Sequence, residues 1–345
     1  MKIKVGINGM GRIGRLILRM SMGGFKIHSE DNKDKSLEVV HVNDLAESKA
    51  ASHLIKYDSL HGTWEKEVSQ DNETIKIDNF KINYTSEKNI DEIEWENSGC
   101  ELVLDCTGKN LTKEKLKNYF SKGVKKVIAS APVNDPDILN IVLGVNENLY
   151  NHKKHNIVTA ASCTTNCLAP IVKVLHKNLG VLKGQITTIH DITNTNVVLD
   201  QNHNDLRRAR SSLVSMHPTT TGSAKAIGLI FPELNGKLNG HAVRIPILNS
   251  SLTDCVFQVS KNTSEKEVND LFDASSKSDL KGILGIEYKP LVSVDFLNDT
   301  RSSIIDAPST MVTDNNLVKI FSWYDNEIGY SARMIDLANY IINSQ

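Results

Sequence analysis

The run Gly9-Met10-Gly11-Arg12-Ile13-Gly14 constrains this chain most, because it stands between the apolar segment Lys4 to Asn8 and a helical stretch, Arg12 to Met20. A short strand, a glycine-rich turn and a helix in that order form the unit that receives a dinucleotide in a parallel sheet. Gly9 permits the tight turn, Gly11 lets backbone approach a pyrophosphate, and Gly14 lets helix and strand pack closely. The helix N-terminus adds amides and a partial positive charge. The rest of residues 2 to 160 agrees with such a sheet. Apolar runs at Val39 to Asn43, Leu102 to Cys106, Lys126 to Ser130 and Ile157 to Ala160 alternate with helical stretches such as Lys113 to Phe120. The polar segment Ser29 to Ser36 reads as a surface loop.

From Gln185 the pattern changes. Strand-like runs appear at Gln185 to Asp191, His241 to Pro246, Leu252 to Val259, Leu291 to Asp295 and Leu317 to Tyr324, with helices expected at Ser223 to Ile230 and Ser264 to Ser275. The spacing of Met334, Ile335, Leu337, Ala338, Ile341 and Ile342 predicts a final helix over Gly329 to Ile342. The fold class is therefore α/β: an N-terminal Rossmann dinucleotide-binding domain (1–162), an α+β catalytic domain with a mainly antiparallel or mixed sheet (163–325), and a C-terminal helix (326–345) packing back on the first domain.

Composition narrows the partners. With 345 residues, 40 Lys+Arg against 41 Asp+Glu give a net charge of -1, so any anion must be held by a few placed residues rather than by bulk charge. Nucleic acid is not expected as a main partner. The longest apolar runs, such as Ile138 to Val145, fall short of the roughly 18 to 20 residues that span a bilayer, and Met1 to Val5 enters a strand pattern with no signal-peptide segment. A soluble cytoplasmic protein without a membrane partner is the expectation. Five cysteines, Cys100, Cys106, Cys163, Cys167 and Cys255, lack metal-type spacing and suit reduced thiols.

Chemistry concentrates in Ser162-Cys163-Thr164-Thr165-Asn166-Cys167, between a short strand and the apolar helical run Leu168 to Leu175. Cys163 then sits at a helix N-terminus, a place that favours a thiolate nucleophile. His190 ends the strand pattern Thr187-Thr188-Ile189-His190 and can take a proton at neutral pH. Pro218 to Ser223 followed by a helix forms a candidate anion nest, or simply a capped helix start. Asp44, after the second strand, can accept from ribose hydroxyls and would repel a 2′-phosphate, which favours NAD; as a turn cap it would do neither.

Four segments together resemble the phosphorylating glyceraldehyde-3-phosphate dehydrogenase family: Val5 to Arg15, Ser162 to Cys167, Pro232 to Leu238 and Trp323 to Glu327. The resemblance covers nearly the whole chain. It implies Cys163 as nucleophile and His190 as base, oxidising glyceraldehyde 3-phosphate through a hemithioacetal and a thioester that inorganic phosphate displaces. It implies Thr193, Arg244 and one of Arg207 and Arg208, with Arg208 preferred, for the substrate phosphate. Ser162, Thr164, Thr221 and Gly222 would hold the attacking phosphate. For NAD it implies Gly9, Gly11, Gly14, backbone contacts from Arg12 and Ile13, then Asp44, Ser130 and Asn326, with Tyr330 near the nicotinamide. No metal is implied, and a homotetramer is.

Departures from the family pattern also appear. Lys88 stands where an adenine-side arginine is usual, Cys106 to Asn110 replaces a serine-led segment, and Asp191 follows His190 where a small residue is common. Gln201-Asn202 replaces a Leu-Pro pair that helps exclude the 2′-phosphate, so NADP stays open beside NAD. His190 to Thr195 and Leu252 to Phe257 look most like an arsenical-resistance branch, in which arsenate replaces phosphate. Erythrose-4-phosphate oxidation, a non-phosphorylating aldehyde oxidation that hydrolyses the thioester, and a moonlighting binding role are the competing readings.

Overall fold

The computed structural model describes residues 4–23 and 37–344, so the predicted loop Ser29 to Ser36 lies outside the described residues. The chain divides into two compact units, one running to Ser162 and resuming at Tyr330, the other Cys163–Gly329.

The first unit holds a sheet of nine strands among the described residues. Their spatial order is Val68–Gln70, Thr74–Ile77, Phe80–Thr85, Glu38–Asn43, Lys4–Asn8, Leu102–Asp105, Lys126–Ala129, Ile157–Thr159 and Leu139–Asn140. From Phe80–Thr85 onward every pairing is parallel. Val5, Ile7, Val103, Leu104, Val127 and Ile128 are buried, as expected of parallel strands covered on both faces. The strand order reverses at Lys4–Asn8, and such a switch point opens a crevice beyond the carboxyl ends of the strands. Strands Val68–Gln70 and Thr74–Ile77 form an antiparallel edge that the sequence pattern does not mark. The stretch expected to be helical from Lys113 to Phe120 is an α-helix over Lys113–Lys117 that tightens to a 3₁₀ turn over Asn118–Lys122. The last helix, Ile328–Asn343, buries Met334, Ile335, Leu337, Ala338 and Ile341, and its Tyr340 hydroxyl donates to the Glu147 carbonyl at 3.0 Å.

The second unit holds a mixed sheet of eight strands among the described residues. Seven run in the order His217–Thr220, Leu238–Arg244, Val181–His190, Ser251–Val259, Leu317–Tyr324, Ser303–Asp306, Leu284–Glu287, and Met311–Thr313 pairs beside Leu317–Tyr324. Two pairings are parallel and the others antiparallel. Strand Ser251–Val259 alternates buried and half-buried residues, with Cys255, Phe257 and Val259 inward. Helix Cys163–Leu179 packs on this sheet through buried Leu168, Ile171, Val172 and Leu175.

One strand expectation fails here. Leu291 to Asp295 is not extended: Ser293–Phe296 forms a 3₁₀ turn. Asp295 closes it, its carboxylate accepting from the Val292 amide (2.9 Å) while its own amide donates to the Val292 carbonyl (2.9 Å). Pro290 just before it has no N–H to give a ladder.

Sheet register gathers the chemistry of this unit. His190 lies opposite Arg244 on its parallel neighbour, Ile189 opposite Leu252, and Ser251 opposite Tyr324.

Candidate active site

In the first unit the glycine turn is built as a dinucleotide needs. Gly9 has φ of 96°, in the left-handed region, and its amide donates to the Asn43 carbonyl at 2.7 Å. A Cβ on Gly14 would lie 2.0 Å from the Gly9 carbonyl oxygen, so helix and turn touch there. A Cβ on Gly11 would meet nothing within 4 Å, which leaves an open cradle at the start of helix Arg12–Ser21. Asp44 borders that turn: its Oδ2 accepts from the Met10 amide at 2.6 Å and its Oδ1 from the Ala46 amide at 2.9 Å. The Arg12 guanidinium is held by Asp58 (2.5 and 3.2 Å), so what Arg12 offers an anion is its backbone. Ser130 follows strand Lys126–Ala129, its amide donating to the Asp105 carbonyl at 2.8 Å, and Lys88 is exposed. A glycine turn with open space beside Gly11 at a helix start, and a fixed carboxylate next to it, fits NAD.

The chain enters the second unit through a strained turn. Ala161 takes φ of 54°, which costs a residue with a Cβ roughly 1–2 kcal/mol. Its amide donates to Thr159 Oγ1 (3.0 Å), and its carbonyl accepts from the Tyr330 hydroxyl (3.1 Å). That bond is where the structure places the Tyr330 hydroxyl.

Cys163 is the first residue of its helix, half-buried, with Sγ 3.7 Å from His190 Nε2. Burial pushes the other four thiols up, Cys167 to about 11 and Cys100 to about 12. For His190 burial alone would lower the imidazole. The Asp191 carboxylate at 2.5 Å and the Cys163 sulfur outweigh it, and the ring is pushed up to about 9. Thr164, buried, and Thr188 both direct their hydroxyls to the Tyr324 hydroxyl (2.8 and 2.9 Å).

The predicted anion residues fall into groups. Arg244 Nη1 donates to the Asp191 carbonyl at 2.9 Å, and its buried Nε has no hydrogen-bond partner among the described residues. Thr193, Thr195, Arg208 and Thr219 form a chain: Thr193 Oγ1 lies 3.0 Å from Thr195 Oγ1, and Arg208 donates to Thr195 Oγ1 (3.2 Å) and Thr219 Oγ1 (2.9 Å). Arg207 stays outside it, exposed and donating to the Pro218 carbonyl at 3.3 Å. Thr221 Oγ1 accepts from the Ser223 amide at 3.3 Å, and exposed Gly222 precedes helix Ser223–Ile230. Ser162, the last residue of the first unit before Cys163, is half-buried. Asn326 is buried, its Nδ2 donating to Asp191 Oδ2 at 3.0 Å. Sequence reasoning missed Ser251 and Tyr324 in this cluster and saw Asp191 only as a departure; the available signal was a carboxylate directly after a strand-end histidine.

Both parts of the chain match known proteins. The family model described as the NAD binding domain of glyceraldehyde 3-phosphate dehydrogenase matches residues 3–113, and that described as its C-terminal domain matches residues 162–326. Glyceraldehyde-3-phosphate dehydrogenase 3 of Nostoc sp. is 53% identical over 99% of this chain and 98% of its own length. Glyceraldehyde-3-phosphate dehydrogenase 1 of Bacillus cereus is 47% identical over 98% of both chains, and the Geobacillus stearothermophilus enzyme 46% over 99% and 98%. A dinucleotide cradle, a cysteine paired with a histidine and similarity over the full length converge: the chain belongs to the glyceraldehyde-3-phosphate dehydrogenase family.

Proposed function

We propose that this chain oxidises D-glyceraldehyde 3-phosphate with NAD and inorganic phosphate, forming 1,3-bisphosphoglycerate through a thioester on Cys163. The observation that carries this reading is the Cys163 sulfur at a helix start, 3.7 Å from His190 Nε2. The Cys163 thiolate adds to the aldehyde carbon, and the carbonyl oxygen takes the Nε2 proton, giving a hemithioacetal. NAD, when bound, supplies the acceptor for the hydride that leaves C1. As that hydride leaves, His190 Nε2 takes back the hydroxyl proton and a thioester remains on Cys163. Inorganic phosphate then attacks the thioester carbon and Cys163 departs as thiolate.

We assign NAD to Gly9, Gly11, Gly14, the backbone of Arg12 and Ile13, Asp44, Lys88, Ser130 and Asn326. The substrate phosphate goes to Arg244, Thr193 and Arg208, and the attacking phosphate to Ser162, Thr164, Thr221 and Gly222. Arg244 Nε, without a partner among the described residues, supports the first phosphate assignment, since a buried donor left without an acceptor is costly and an anion would satisfy it. The thiol chemistry of Cys163, together with the four other free cysteines, supports a reducing, cytoplasmic compartment. Val198, Leu199, Leu206, Leu213, Val214 and Met216 are all exposed apolar residues within one segment, which supports a homotetramer built over them.

Mass spectrometry of the enzyme mixed with substrate and NAD, without phosphate, tests the intermediate. An acyl adduct on Cys163 that phosphate discharges is the expected result; an enzyme that turns over with no adduct overturns the reading.

A further inference from the structure

We propose that Asp191 is a positioning residue that completes a Cys163–His190–Asp191 relay, holding the Nδ1–H tautomer of His190 so that Nε2 faces the thiol. The proposal rests on the functional reading above for the roles of Cys163 and His190.

Asp191 Oδ1 lies 2.5 Å from His190 Nδ1, and the carboxylate is itself fixed: Ser251 Oγ donates to Oδ1 at 3.0 Å and Asn326 Nδ2 to Oδ2 at 3.0 Å. The Asp191 amide donates to Ser251 Oγ at 3.2 Å, and the residue is 1% exposed, so this carboxyl group has been built into the core with both oxygens hydrogen-bonded. Around Nδ1 stand two acceptors, Asp191 Oδ1 and the Asp191 carbonyl at 3.0 Å. Arg244 Nη1 approaches Nδ1 to 2.6 Å, but its hydrogen bond goes to the Asp191 carbonyl, because a ring nitrogen with its lone pair toward a carboxylate 2.5 Å away would be repelled. The network therefore assigns the proton to Nδ1 and leaves Nε2 as acceptor for the thiol.

Such a relay makes the thiolate–imidazolium pair the favoured arrangement of one shared proton. The groups facing His190 are Cys163 from the helix, Asp191 beside it, Arg244 from the parallel strand and Tyr324, edge-on at 6.1 Å, from the far strand. Of these only Asp191 sets a carboxyl oxygen against Nδ1. Its two possible actions on sulfur have opposite signs. Acting through His190, it raises the thiolate fraction at neutral pH; acting directly as a nearby negative charge, it lowers it.

The test is the pH dependence of Cys163 alkylation by iodoacetamide in the full-length protein, for wild type, Asp191→Asn, Asp191→Ala, His190→Asn and the Asp191→Asn/His190→Asn double variant. The expected result is that both Asp191 variants shift the profile to higher pH and slow alkylation at pH 6.5 by roughly tenfold, with rates equal to wild type near pH 10. In the His190→Asn background, Asp191→Asn should then change nothing further. An unmoved profile, a shift to lower pH, or a shift that persists without His190 overturns the proposal. Alkylation needs neither substrate nor NAD, so it fails or succeeds separately from the assigned reaction.

Discussion

In the proposed reaction Cys163 and His190 act through two atoms 3.7 Å apart, so their substitutions have different expected consequences. Cys163→Ser abolishes NADH formation while NAD still quenches protein fluorescence on binding; retained turnover in that variant contradicts the nucleophile assignment. His190→Asn keeps the nucleophile and lowers kcat by about 10²–10⁴. The imidazole also has a signature in stability. Its folded value is raised from 6.5 to about 9, so its contribution is complete below pH 6.5 and lost as pH rises through about 9. The gap in Tm between wild type and His190→Asn should therefore narrow from pH 6.5 to 9.5, and a constant gap removes that linkage. Both residues were legible in the sequence, Cys163 from its place before an apolar helix and His190 from the strand it ends. Their third neighbour was not. A carboxylate after a strand has no fixed direction in sequence, and only the register that sets Ser251 opposite Tyr324 and Leu252 opposite Ile189 shows what surrounds Asp191.

Elements were readable where period and punctuation agreed. The glycine turn announced the strand and helix around it, and Ser223–Ile230 came out as predicted from the Thr-Gly nest before it. Strands Thr74–Ile77 and Phe80–Thr85 alternate Ile75, Ile77, Ile82 and Tyr84 inward, but charged and polar residues between them hid a sheet edge that only pairing makes evident. Leu291 to Asp295 shows the opposite failure, where apolar content suggested a strand and a local Asp295 cap took the backbone. At this scale Gly14→Ala is the sharpest perturbation. Its methyl would sit 2.0 Å from the Gly9 carbonyl oxygen, a backbone atom that cannot swing away, so the turn must open. NAD affinity should fall at least about tenfold while Cys163 alkylation is retained, and calorimetry showing unchanged affinity would contradict the assigned cradle.

Across the whole molecule, a net charge of -1 leaves anion recognition to local donors, and in the proposed reading each unit would supply its own: an open glycine turn in the first, Arg244 and the Thr193–Thr195–Arg208 chain in the second. Among the described residues no helix is long and apolar enough to cross a membrane. The exposed apolar residues of the 198–216 segment predict association: sedimentation should give a tetramer, and charged substitutions at Val214 and Met216, 84% and 70% exposed, should dissociate it. Discharge of a Cys163 thioester by inorganic phosphate is tested by following NADH formation from D-glyceraldehyde 3-phosphate as phosphate is varied. About one NADH per active site is expected without phosphate, and sustained, saturable turnover with it. A steady rate indifferent to phosphate would contradict it.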